Sequence, residues 1–185
     1  KFRGSPFKGF EKYTFNNPAA NFSSAEYRLF SGRLAGGGQK QAALELPAAK
    51  DAPGMLQAFV VTGVTEPGGD ESFTTETLPF SPFSAYVGVT VPEGEYLETD
   101  KDQSIGIAVV DASGQRVKGH KIQYGIYKIG WNWWWDSPGG DLDSWISGSS
   151  VQKLASGTLT SDGSKDCKIT LRVDYPDWGR YMILA

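Results

Sequence analysis

Ser156-Gly157-Thr158-Leu159-Thr160-Ser161-Asp162-Gly163-Ser164-Lys165-Asp166-Cys167-Lys168-Ile169-Thr170-Leu171 reads as a strand, a glycine turn and a second strand. The same sixteen-residue register fits Ser31-Gly32-Arg33-Leu34-Ala35-Gly36-Gly37-Gly38-Gln39-Lys40-Gln41-Ala42-Ala43-Leu44-Glu45-Leu46, 125 positions earlier, with six identities and no gap. It carries on to set Gly54 over Gly179. Glycine-rich turns align easily by chance, but a register this long points to one domain type used twice. The first copy has only thirty residues before the repeated segment, and the second ends at Ala185, which lies over Val60. The chain therefore reads as a segment of a tandem array whose work belongs to the array.

A chain of 185 residues holds one large or two small domains. Hydrophobic residues make up 39% and aromatic residues 13%, enough apolar surface for a core and too much for a disordered segment. The net charge of −3 is spread over interspersed signs, with no basic stripe for nucleic acid or anionic lipid. No apolar run reaches the length of a membrane-spanning helix, which speaks against direct membrane insertion. The N-terminal residues lack the pattern of a signal peptide, so an exported parent is expected to carry its signal upstream of Lys1.

Helical periodicity is nearly absent, while period-two alternation and turn punctuation run throughout. The opening stretch to Asn21 reads as a long connection holding Phe7, Phe10, Tyr13 and Phe15. Strands are predicted at Glu26 to Phe30, Gln41 to Leu46, Met55 to Val64 and Ser72 to Leu78. Pro79-Phe80-Ser81-Pro82 is the predicted boundary, short and stiffened by proline, so that residues 1–82 and 83–185 form two units of fixed orientation. Beyond it, strands are predicted at Ala85 to Val91, Ile105 to Val110, Ile122 to Ile129, Lys153 to Leu159, Lys168 to Val173 and Arg180 to Leu184. Asp111-Ala112-Ser113-Gly114 has hairpin-turn chemistry. Short strands with turns at this spacing argue for an all-β chain of tandem antiparallel β-sandwiches, immunoglobulin-like or fibronectin-like. The first sandwich is expected to lack its opening strands and the second its last strand. Open sheet edges left in this way can pair with a neighbouring molecule.

Catalytic chemistry has little to work with. His120 is the only histidine and sits beside Gly119 in a turn-like stretch, and no serine stands in a nucleophile elbow. One cysteine and one histidine do not make a zinc site of ordinary ligand count, and no phosphate loop or dinucleotide fingerprint occurs. Cys167 alternates with Ile169, Leu171 and Val173, which places it on the apolar face of a strand as a small hydrophobe rather than as a reactive thiol. Asp136, Asp141 and Asp143 crowd one glycine- and proline-containing loop. Calcium favours such oxygen ligands, but the spacing fits no EF-hand and turn-forming aspartates are common in solvated loops. No enzyme activity, no cofactor and no metal is therefore expected of this segment.

The strongest local anomaly is Gly130-Trp131-Asn132-Trp133-Trp134-Trp135-Asp136, with Trp145 a short loop away. Strict alternation puts Trp131, Trp133 and Trp135 on one strand face and Trp134 on the other, and a bulge within the run would reverse this. Indoles offer wide apolar area with a single N–H donor, which suits an interdomain interface, a protein partner or a sugar ring. An array needs rigid interfaces, so the five tryptophans are read first as packing against an adjoining domain.

Four stretches taken together resemble the bacterial alpha-2-macroglobulin family. They are Ala52-Pro53-Gly54-Met55-Leu56-Gln57-Ala58-Phe59-Val60-Val61-Thr62-Gly63-Val64 continuing to Glu66-Pro67-Gly68-Gly69-Asp70; Leu78-Pro79-Phe80-Ser81-Pro82-Phe83-Ser84-Ala85-Tyr86-Val87-Gly88-Val89; Ile126-Tyr127-Lys128-Ile129-Gly130 into the tryptophan run; and Val173-Asp174-Tyr175-Pro176-Asp177-Trp178-Gly179-Arg180-Tyr181. The resemblance implies consecutive macroglobulin-type β-sandwiches in the scaffold of a broad-spectrum protease inhibitor that traps its target after a bait segment is cut. It implies a cell-envelope location, periplasmic or surface-exposed, with neighbouring domains of the same chain and target proteases as partners. The family's thioester comes from a cysteine followed closely by Glu-Gln. Cys167 is followed by Lys168-Ile169-Thr170, so no thioester carries over to it. No evident bait segment appears either, since Ser144 to Ser150 is short and interrupted by Trp145. The alternative is a carbohydrate-binding β-sandwich module that uses the Trp131–Trp135 cluster as its platform.

Overall fold

A computed structural model describes residues 5–17, 20, 22–130 and 151–185. Eight strands run in chain order: β1 (Leu56–Thr65), β2 (Glu71–Phe80), β3 (Ala85–Thr90), β4 (Asp102–Asp111), β5 (Lys118–Ile129), β6 (Val151–Asp162), β7 (Cys167–Arg172) and β8 (Arg180–Leu184). They form a two-stranded sheet β1-β2 and two three-stranded sheets, β3-β4-β7 and β6-β5-β8, with every pairing antiparallel. The two three-stranded sheets face each other as a β-sandwich.

Strand β4 shows why. Its residues from Ile105 to Val110 are buried without interruption, so both faces of this strand are covered. Side chains alternate along it. Ile105, Ile107 and Val109 point inward to meet Ile122 and Ile126 of β5 and Ile169 of β7. Leu159 of β6 and Ile183 of β8 close the same core from the other sheet. Cys167 packs there too, on the apolar face that its alternation assigned to it. Ala108 and Val110 point the opposite way and join Tyr86 of β3 in a second cluster with Phe7, Phe10, Phe15 and Met55. The fold around β4 thus has three layers: an aromatic segment, the sheet β3-β4-β7 and the sheet β6-β5-β8.

Three connections carry the chain between the sheets, two tight turns (β4–β5 and β6–β7) and the longer β7–β8 link. At Asp111 the carboxylate Oδ1 accepts the amides of Ser113 and Gln115 at 2.8 and 3.0 Å, and Gly114 takes a left-handed φ of 84°. Val117 still donates to the Val109 carbonyl at 3.0 Å before the chain enters β5 in the facing sheet. The β6–β7 turn repeats the device, with the Ser164 amide donating to Asp162 Oδ1 at 3.1 Å beside Gly163 at φ 87°.

The repeat is realised only in part. Gly38 and Gly163, aligned by the sixteen-residue register, both adopt positive φ, 71° and 87°. In the second copy the flanks are β6 and β7, which sit in different sheets. In the first copy, Glu26 to Phe30 and Gln41 to Leu46 form no strand, and most of their side chains are exposed. An alternating pattern becomes a strand when a partner strand and a packed face are present. No neighbouring strand lies against these residues among those described. The β1-β2 hairpin likewise stands apart, with Phe59 and Phe73 69% and 66% exposed.

The opening stretch also departs from its sequence reading. It is not a bare connection, because Phe7, Phe10 and Phe15 are buried in the outer cluster.

A candidate functional site where the aromatic segment meets the sandwich

The aromatic segment is folded by local turns before it is packed. The Phe10 amide donates to the Phe7 carbonyl at 3.2 Å, and the Tyr13 amide donates to the Phe10 carbonyl at 2.9 Å. Successive four-residue turns, three positions apart, bring Phe7, Phe10 and Tyr13 together. Phe7 then meets Phe15 edge-on, with ring centroids 4.8 Å apart, and Phe10 meets Tyr13 in the same manner at 5.1 Å. Thr14 and Val89 exchange both backbone hydrogen bonds, at 2.9 and 3.0 Å, which adds one rung to the edge of β3. Further on, the Asn17 amide donates to the Pro53 carbonyl at 2.7 Å, where the chain returns to bury Pro53, Gly54 and Met55.

One polar cluster fastens this segment to the far end of the sequence. Tyr13 Oη donates to Asp166 Oδ2 at 2.5 Å, across 153 residues. The guanidinium of Arg116 pairs with Asp166 Oδ1 at 2.7 Å, and the Arg116 and Asp166 side chains are 24% and 20% exposed. At this distance the contact is a close, charge-assisted pair. The same guanidinium lies 4.9 Å from the centroid of the Phe10 ring, a cation–π distance. Gly106 of β4 makes room for the arrangement, since a Cβ there would stand 2.9 Å from Asp166 Oδ2. Burial pushes the Tyr13 phenol above its ordinary value, Asp166 adds to the rise, and Arg116 opposes it. Burial works against the Arg116 charge, but Asp166 and Tyr13 outweigh it and hold the guanidinium above its ordinary value.

Chemically, this cluster holds rather than reacts. It has one anion, one cation and one phenol, each engaged with the others. Lys165 and Lys168 join Arg116 and Asp166 around an open, shallow depression. The backbone amide of His120 donates to Ser161 Oγ at 3.0 Å, and the imidazole is exposed. Cys167 Sγ donates to the Thr160 carbonyl at 3.3 Å. Among the described residues, no three His, Cys, Asp or Glu side chains gather as metal ligands. Asp136, Asp141 and Asp143 lie outside the described residues, as do Trp131, Trp133, Trp134, Trp135, Trp145 and the stretch Ser144 to Ser150.

Sequence reasoning named Tyr13 only as one of four aromatics in a connection and gave Arg116 and Asp166 no role. The latter two sit in unremarkable turn or strand-end contexts, and nothing local links either to residue 13. The usable signal was the aromatic count: four rings in nine residues are too much apolar surface for an unpacked connection.

Comparison with known proteins places these observations. The family described as Bacterial macroglobulin domain 6 matches residues 88–185, more than half of the chain. Among solved structures, Salmonella alpha-2-macroglobulin reacted with methylamine superposes with a TM-score of 0.55 at 16% identity. The superposition covers 96% of this chain and 12% of that one, so the chain spans about an eighth of the length of that protein, and at this identity the likeness is one of fold. Comparison with curated proteins gives no match.

Proposed function

Since the chain belongs to the bacterial alpha-2-macroglobulin family and is a segment of such a protein, we propose that it serves as rigid scaffold within a protease trap. The observation that carries this reading is the double burial of β4 inside a macroglobulin-type sandwich. A strand covered on both faces has no freedom to shift register without moving two apolar clusters at once. Such an element suits a spacer that relays or resists a change of shape, and the polar groups described above are engaged in structural contacts.

In this reading the segment is not itself an enzyme, and it comprises two macroglobulin-type units, residues 1–82 and 83–185, with residues 5–17 reaching onto the second. The parent is exported to the cell envelope, its partners are the neighbouring domains, and its targets are proteases. Trp131, Trp133, Trp134, Trp135 and Trp145, which lie in sequence between β5 and β6, are assigned to an interface with one of those domains.

The test is made on the full-length parent. A trap that encloses its target leaves a protease active on small peptides and inactive on large proteins. Loss of neither activity would remove the trap from consideration. Intact mass before and after methylamine then separates the two kinds of trap. A gain mapped to a thioester outside these residues means covalent capture, and no gain means enclosure alone.

A further inference from the structure

The repeat register runs through the core as well as through the turns. Carried 125 positions, Leu34, Ala42, Leu44, Leu46 and Ala58 fall on Leu159, Cys167, Ile169, Leu171 and Ile183. Each of those five counterparts belongs to the inner cluster or packs against it. In the first copy the same positions are open, with Leu34, Leu44 and Leu46 50%, 45% and 50% exposed. What differs is the covering. In the second copy β6 and β8 flank β5, and β7 pairs with β4. Ile105 and Ile107 of β4 and Ile122 and Ile126 of β5 fill the space between. The register sets residues 26–37 over β6, 42–47 over β7 and 55–59 over β8. Residues 26–37 and 42–47 form no strand, and β1, which starts in the third range, has β2 as its one neighbour among the described residues. The elements left unformed or half-paired are therefore those whose counterparts lean on β4 or β5.

We propose that in the parent protein a strand equivalent to β5 lies between residues 26–37 and the open edge of β1, and that this strand carries lysine or arginine. An added strand pairs the open backbone of β1 and turns alternate side chains toward the uncovered apolar positions. Charge selects the occupant. The hairpin and its turn hold Glu66, Asp70, Glu71 and Glu76, with no lysine or arginine between Asp51 and Asp100. Strand β5 itself holds Lys118, Lys121 and Lys128 and no acidic residue. A second copy offers no such strand, because its own β5 is paired on both edges by β6 and β8 and its hairpin is equally acidic. The occupant is a strand of the same parent molecule. The solved alpha-2-macroglobulin extends far beyond the matched 12% of its length, so a parent of that kind has chain to supply it. The inference rests on the reading of residues 1–82 as a macroglobulin-type unit, and not on the protease trap.

Amide exchange on the purified full-length parent and on the 185-residue chain tests it. Alternate amides of residues 26–37, and those of β1 that β2 leaves unpaired, should exchange about a hundredfold more slowly in the parent. The difference should survive dilution of the parent, since the strand comes from the same molecule. Equal rates in the two proteins would overturn the proposal. Protection that falls on dilution would also overturn it, by assigning the edge to a second copy. Leu44→Asp puts a charge where the completed core closes. In the parent it should return residues 26–37 to the rates of the 185-residue chain, while Ile122 and Ile126 keep theirs. Protection left in place would set Leu44 outside any core and refute the assignment. The trap assay reads protease activity and this one reads backbone pairing, so failure of either is a separate result.

Discussion

The ring of Phe15 lies directly on the backbone of Gly88, so that a Cβ at position 88 would come within 2.5 Å of two ring carbons. Gly88 is in β3 and Phe15 is in the segment that covers it, and both are buried. Gly88→Ala should therefore destabilise the chain by about 1–3 kcal/mol, because the ring has to move against Phe7 and Phe10. Phe15→Ala should cost about 3–5 kcal/mol by leaving a cavity. The double variant should cost less than the sum, since the ring that clashes is gone. Urea denaturation of the three variants measures this, and additive losses would refute the contact.

Titration of Tyr13 gives the attachment of the aromatic segment a pH dependence with a definite sign. Burial, then the hydrogen bond to Asp166, raises the folded-state value above that of the unfolded chain, against the pull of Arg116. Stability from this group is therefore fully present below the unfolded phenol value of about 10 and is lost as pH rises through the raised folded value. The stability difference between the native chain and Tyr13→Phe should be constant near neutral pH and shrink in the alkaline range. Denaturation midpoints of the two proteins between about pH 7 and 11 check it. A difference that grows with pH would contradict the assignment.

Asp111 sets the acid side. Its carboxylate is held below the ordinary value by the Ser113 hydroxyl first, and by the amides of Gln115, Ser113 and Gly114. The turn's contribution is thus present above the unfolded carboxylate value and lost as pH falls through the depressed folded one. Asp111→Ala should open the β4–β5 turn at neutral pH and make no further difference in strong acid. Amide exchange at Gln115, which donates to this carboxylate, reports the change directly.

Core and hairpin substitutions should separate widely. Ile107 is 1% exposed within the inner cluster, and Ile107→Ala should cost about 2–5 kcal/mol. Phe73 is the larger side chain, but it is mostly exposed on β2, and Phe73→Ala should change stability by about 0.5 kcal/mol or less. Comparable losses at the two positions would show that the hairpin is part of the same cooperative core.

Strands with a packed face were legible in the sequence. Ile105 to Val110, Ile122 to Ile129 and Arg180 to Leu184 lie within or match β4, β5 and β8, because alternation reports burial when a core exists to receive it. Glu26 to Phe30 has a similar local pattern, but nothing among the described residues packs on it. The sandwich's outer layer was not legible, since Phe7, Phe10 and Phe15 follow turn spacing and match neither a strand nor a helix. Tyr13 and Asp166 were out of reach for a different reason. A contact across 153 residues leaves no mark on the local pattern at either end.

The β1-β2 hairpin carries the last expectation. It puts Phe59, Val61 and Phe73 on one face and Val60, Val64 and Leu78 on the other, as their register requires. Both strands have one unpaired edge among the described residues, which is a template for pairing with another molecule. Charge opposes that pairing. The hairpin and its turn hold Glu66, Asp70, Glu71 and Glu76, and no lysine or arginine occurs between Asp51 and Asp100. Two copies meeting edge to edge would bring these carboxylates together, a repulsion that 1 M salt screens to a Debye length of about 3 Å. Self-association of the chain should therefore rise with salt, where an ion-paired interface would weaken. Val61→Glu should suppress it by adding a further negative charge to an exposed strand face. Sedimentation velocity at low and high salt decides the matter, and association that falls with salt would assign the contact to ion pairs elsewhere on the surface.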